Sequence, residues 1–181
     1  MIEIFIDSVK NYQFEIAKTL IQLRIPNRNF AILQLIVHYF EMIARYREGA
    51  SGRDDAGVYF KKGLDHVFPN FLDKSGNPLD DNKPETSDIK QTIFDYFYSH
   101  VRCGLSHAGI TKSNVSLSGD IRESISVNTN TEPPLIWINP EILLRIIEIN
   151  FDNYAKELRE GKNIDIRKNF IKKFSYDRGL V

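Results

Sequence analysis

The chain has 181 residues, enough for one domain whose core can form without metals or disulfides. Its 24 basic and 24 acidic residues cancel, so it lacks the overall basic surplus that nucleic-acid binders commonly carry. The single cysteine, Cys103, excludes an internal disulfide, and no apolar run approaches the roughly 18 residues of a membrane span.

The opening "MIEIFIDSVKNYQFE" has no basic start and carries acids early, so it makes a poor secretory signal. The expected location is the cytoplasm. Apolar positions Val9, Tyr12, Ile16, Leu20 and Leu23 recur at helical spacing and predict a helix over 2–25, ending before Pro26. Residues 28–48 predict a second helix, apolar almost all round from Phe30 to Ala44 and therefore central or at an interface. His38, within it, reads as a core or interface histidine. A loop, "GASGRD", precedes a shorter helix starting near Asp54, with acids at the positive end of its dipole and His66 at its surface. The following "PNFLDKSGNPLDDNKPETS" is a long loop.

Ser87 is placed to cap the next helix, with Asp88 in its first turn. Ile89, Ile93, Phe97, Val101 and Leu105 then recur every four residues and predict a buried seam. Over 114–138 the pattern changes to short, β-branched, partly alternating runs. These predict a β-hairpin or three short strands, with Trp137 as a core anchor and base stacking its second reading. Asn139, Pro140 and Glu141 open another helix, Gly161 closes it, and Leu143, Ile147, Phe151, Tyr154 and Leu158 form its seam. In the last segment Lys156, Arg159, Lys162, Arg167, Lys168, Lys172, Lys173 and Arg178 outnumber the acids, giving a basic tail over 162–181. That tail reads as a solvated helix face and frayed terminus or as a phosphate-attracting surface. The sum is a single, mainly α-helical domain over 1–181 with a small β insertion.

"VRCGLSHAG", residues 101–109, is the chemically dense stretch. His100, Cys103 and His107 have the spacing of zinc ligands on one helix face, but a fourth ligand is missing locally. Arg102 and His107 suit another chemistry. An imidazole exchanges protons near neutral pH, and a guanidinium presents a fork of donors to phosphate oxygens. Together they suffice to cleave RNA without a metal. Five residues along an α-helix rotate a side chain by about 140°, so either the helix deforms near Gly104 or the site is assembled from two chains. Thr111, Lys112, Ser113 and Asn114 are further candidates for lining the same cleft, and Ser106 for binding there or orienting His107 by a hydrogen bond. For Lys112 the plainer reading is a solvated lysine, and for Ser106 a bond to its own backbone. Neither a P-loop nor a dinucleotide-binding glycine motif is visible.

Arg102-Cys103-Gly104-Leu105-Ser106-His107 resembles the R-x4-H signature of the HEPN superfamily (higher eukaryote and prokaryote nucleotide-binding domains). "YFYSHVRCGLSHAGITKS" is similar to a group of bacterial proteins with the local form V-R-C-G-L-x-H-x-G-x-T. In that group a strand-rich insert and an "INP" helix start follow, as at Ile138 to Pro140. The resemblance spans residues 86–160. It implies a four- to five-helix up-and-down bundle, a homodimer, and metal-independent endoribonuclease activity in toxin–antitoxin, phage-defence or stress systems. His107 would be the acid/base and Arg102 the phosphate-binding group, with no cofactor. Partners would be RNA, a second copy, and an antitoxin or other protein. Cys103 stands where active families often carry Asn or Asp, and Ala108 and Gly109 depart from the R-x4-H-x-Y form. A non-catalytic dimer that binds a protein partner or nucleotide is therefore the alternative.

Overall fold

A computed structural model describes residues 1–23, 25–52, 55–69, 93–128, 131 and 133–180. The expected capping by Ser87 and Asp88, the start of the seam at Ile89 and most of the long loop lie outside them. Helix α1 (Ile2–Val9) continues through a π-wound turn (Lys10–Phe14) into α2 (Glu15–Leu23). The helix stops short of Pro26, as the sequence predicts, but the seam differs. Phe5, Ile6, Val9, Phe14 and Ala17 are buried, whereas Tyr12, Ile16 and Leu23 are exposed. The wider turn explains the shift. It absorbs an extra residue, so the inward position after Val9 is Phe14, five residues on.

The second helix is two: α3 (Arg28–Ile36) and α4 (Tyr39–Glu48), with the regular ladder interrupted at Val37 and His38. Ile32, Leu33, Ile36, Val37, Tyr39, Phe40 and Ile43 are fully buried, so this pair occupies the centre. Helix α5 (Ala56–Val67) starts after Asp55 and crosses α4 at backbone distance. A Cβ on Gly63 would lie 1.7 Å from the Phe40 carbonyl oxygen, so only glycine allows this approach.

The chain is helical again from Ile93, and its later part, the motif helix, is largely π-wound over Phe97–Arg102 and Gly104–Ala108. Its predicted seam holds: Ile93, Phe97, Val101 and Leu105 are buried. Strands β1 (Val115–Leu117), β2 (Ile125–Asn128) and β3 (Leu135–Ile138) follow inside the predicted insertion. β3 is central, parallel to β1 and antiparallel to β2. Alternation along β3 turns Ile136 and Ile138 inward. Trp137 is therefore not the expected core anchor. It lies on the other face, in register with Ser116 and Ser126.

Asn139 caps α6 (Pro140–Glu160), its Oδ1 accepting from the backbone N–H groups of Glu141 and Ile142. Its amide also donates to the Gly119 and Ile121 carbonyls, tying the insertion to the helix start. The predicted seam of α6 is buried throughout, and Gly161 ends the helix with φ 64°. The C-terminal segment forms α7 (Ile164–Asp177), and it is not a frayed tail. Phe170 and Phe174 are buried, and Phe170 packs on Phe5 and Tyr46. Buried Lys173 pairs with Asp177, which also accepts from the Tyr46 hydroxyl at 2.9 Å.

Buried residues from Phe5 to Phe174 form one hydrophobic cluster. Its aromatic part runs from Phe151, touching Phe5, Phe14 and Tyr39, through Phe40 and Phe60 to Phe97 of the motif helix. The protein is thus mainly helical with a small three-stranded sheet, and the core fixes the inner side of the motif helix. No described helix is long and apolar enough to cross a membrane.

Candidate functional site

The R-x4-H residues lie on the π-wound end of the motif helix. In an ideal α-helix Arg102 and His107 would diverge. π winding instead bonds each N–H to the carbonyl five residues earlier, as Cys103 N–H does to Tyr98, and brings residues five apart toward one side. The helix is therefore deformed around Gly104, one of the two arrangements that the spacing allows. Gly104 is also a close-approach residue. A Cβ there would meet the Ile110 carbonyl oxygen at 2.6 Å and the Thr111 Cα at 3.3 Å. The chain after the motif folds back along the helix, and Lys112 N–H donates to the His100 carbonyl at 3.1 Å.

Arg102 is mostly buried and committed to an ion pair. Its Nη2 donates to Glu41 Oε2 at 2.9 Å, while Glu41 Oε1 accepts from Arg45 Nε at 3.0 Å. One carboxylate thus joins two guanidinium groups from different helices. Arg102 also lies 5.6 Å from the centre of the Tyr98 ring, and its Nε is buried without a hydrogen-bond partner. Tyr98 packs against the start of α5, where a Cβ on Gly57 would approach its ring to 3.1 Å. Burial, then the hydrogen bond with Cys103, pushes the Tyr98 phenol above its ordinary value. His38, three residues before Glu41, stands at the N-cap of α4. Burial, and after it the Arg102 cation, hold its imidazolium below the usual range.

His107 is exposed on the last turn, before Gly109 ends the helix with φ 69°. Among the described residues it makes no side-chain hydrogen bond or ion pair, and nothing links it to Arg102 or Ser106. Ser106 and Lys112 are also exposed. Thr111 is half-buried and lines a pocket with residues from the α2–α3 turn. Asn114 does not face a cleft. It is buried, its amide donates to the Pro134 carbonyl at 2.7 Å, and its own carbonyl accepts from Ile136 N–H. It is spent on holding the sheet because it enters β1 beside the central strand.

The zinc reading of His100, Cys103 and His107 is not assembled. Among the described residues no three His, Cys, Asp or Glu side chains group as a metal site. His100 instead shares a 2.8 Å hydrogen bond with Ser99 Oγ and lies tilted against the Tyr96 ring, centroids 4.9 Å apart. Burial, and then Lys112, lower its pKa. Sequence reasoning missed Glu41, Arg45 and Tyr98. A signal for Glu41 existed: it is the one charged residue in the apolar stretch from Phe30 to Ala44. Such an acid needs a cation nearby, and Arg45 follows at four residues. No family model matches this chain, and neither a curated protein nor a solved structure matches it.

Proposed function

We propose that the chain is a HEPN-like, metal-independent endoribonuclease for single-stranded RNA, acting as a homodimer in a prokaryotic toxin, defence or stress system. The observation that supports this reading is the π-wound motif helix, which eases the five-residue spacing of Arg102 and His107 and leaves the imidazole exposed. In this reading the RNA 2′-oxygen attacks the adjacent phosphorus. His107 takes the 2′ proton or delivers one to the departing 5′-oxygen, and Arg102 stabilises the charge on the phosphoryl oxygens. Glu41 holds the guanidinium in place. The experiment is cleavage of a mixed-sequence single-stranded RNA in EDTA by the wild type, His107→Ala and Arg102→Ala. Cutting by the wild type alone, with all three proteins folded, is the expected result.

One observation favours a second reading. Arg102 is already paired with Glu41, as a structural ion pair would be. A non-catalytic HEPN-like dimer that binds an antitoxin, another protein or a nucleotide fits that pairing. It predicts no cleavage by any of the three proteins, and partner binding that survives His107→Ala.

A further inference from the structure

Residues just before and at the start of α3, the loop after the motif helix and strand β1 line an open pocket of about 440 Å³. Small-molecule sites commonly measure about 300–1,000 Å³. Asn27, Arg28, Asn29 and Phe30 line it from the start of α3, and Thr111 and Leu117 from the motif side. Thr111 connects it to the motif, because its backbone rests on Gly104, between Arg102 and His107 in the sequence.

The lining has a definite chemistry. Asn27 and Asn29 each carry a donor and an acceptor on one planar amide, the complement of a nucleobase edge. Asn27 has φ 59°, and its side chain does not cap the helix it precedes. The Asn29 Oδ1 atom is buried and has no hydrogen-bond partner. Phe30 and Leu117 supply apolar surface for a flat ring. Among the described residues Arg28 is the one charged residue lining the pocket. Its Nη1 donates to the Ile21 carbonyl at 2.9 Å and its Nη2 to Glu141 at 2.8 Å. Both contacts fix the guanidinium and leave several of its five donors for a ligand. A flat, edge-polar, anionic ligand matches this set, and a cationic one does not.

We propose that this pocket binds one nucleotide of a single-stranded RNA beside the cleavage site. Its base lies against Phe30 and Leu117, its edge is read by Asn27 and Asn29, and its phosphate is held by Arg28. The choice of RNA as ligand rests on the function proposed above. A single strand is required because a paired base has no free edge to offer.

The test is titration of the full chain with each of the four nucleoside 5′-monophosphates, followed by calorimetry or amide shifts. Wild type is compared with Asn27→Gly, which suits the left-handed backbone, and with Leu117→Trp, which fills the pocket. Thermal melts establish that both variants are folded. Saturable binding of at least one nucleotide is expected, weakened about tenfold or more in each variant, the size of one lost hydrogen-bonded group. No binding of any of the four, or binding equal to wild type in both folded variants, overturns the proposal. RNA cleavage without nucleotide binding overturns the pocket assignment and leaves the proposed function standing. Pocket-dependent binding by a protein that cuts no RNA supports the pocket and counts against the nuclease.

Discussion

Removal of Glu41 is the sharpest perturbation of the candidate site. Its two oxygens serve two cations, Arg45 Nε at 3.0 Å and Arg102 Nη2 at 2.9 Å. The three side chains are 18%, 7% and 17% exposed, so solvent can replace little of the lost anion. Arg45 would retain the Gly52 carbonyl at 3.0 Å and the Tyr59 ring at 4.5 Å. Among the described residues Arg102 would retain the Tyr98 ring alone. Breaking a buried ion pair from one side costs about 3–5 kcal/mol, and partial exposure puts Glu41→Ala at the lower end, about 3 kcal/mol. For a chain of this size that is roughly 6–12 °C in melting temperature. Urea unfolding of Glu41→Ala, Arg102→Ala and the double variant completes a cycle. A coupling of about 1.5 kcal/mol is expected from one charge-assisted hydrogen bond. Single effects below about 0.5 kcal/mol that simply add would refute the ion pair. That outcome would also return Arg102 to solution as an uncommitted phosphate ligand.

Three further outcomes follow from the same geometry. Gly104→Ala pushes a methyl group against the Ile110 carbonyl, so a loss of about 1–3 kcal/mol is expected in urea unfolding. A melt unchanged from wild type would contradict the fold-back of the loop. Gly63→Ala meets backbone at 1.7 Å and must separate α4 from α5. The expected loss is at least about 3 kcal/mol, read by circular dichroism, and a near-native melt would show that the helices cross elsewhere. Burial, and after it Arg102, depress the folded pKa of His38 below the ordinary imidazole value of 6.5, so the unfolded chain binds the proton more readily. Its contribution to stability is therefore complete above pH 6.5 and declines as the pH falls from there through the folded value. His38→Gln should flatten that slope, and Arg102→Met should raise the His38 pKa seen by NMR. An unmoved His38 titration would separate the two residues.

Much of the fold was legible because its signals were local. Asn139-Pro140-Glu141 and Gly161 bound α6 as read, since capping depends on a few adjacent side chains and one backbone conformation. The seams of α6 and of the motif helix held because burial follows a simple period. What was not legible depended on partners distant in sequence. The α1–α2 seam slipped at Lys10–Phe14, where the turn widens and no residue type announces it. Trp137 turned outward because the inward register of β3 is set by Ile136 and Ile138 against the core. The last segment looked like a solvated basic tail, yet Phe170 and Phe174 had Tyr46 and Phe5 to pack against once folded. At the site, the motif residues and Gly104 could be singled out by type. The commitment of Arg102 to Glu41, 61 residues earlier, could not.

The two readings of function turn on that commitment, and the same contact serves both. A guanidinium held by one carboxylate through Nη2 still has donors on Nη1 and Nη2, while its Nε is buried without a partner. In a nuclease such a contact fixes the fork before substrate arrives, so less rotamer entropy is lost at the transition state. In a binding module it merely joins α4 to the motif helix. The discriminating substitution is therefore Glu41→Gln and not Arg102→Ala, which removes the guanidinium in either case. A positioning role predicts that Glu41→Gln lowers kcat more than it raises KM, because the guanidinium remains but its orientation is loosened. A structural role predicts loss of stability with partner binding unchanged at temperatures where the variant is folded.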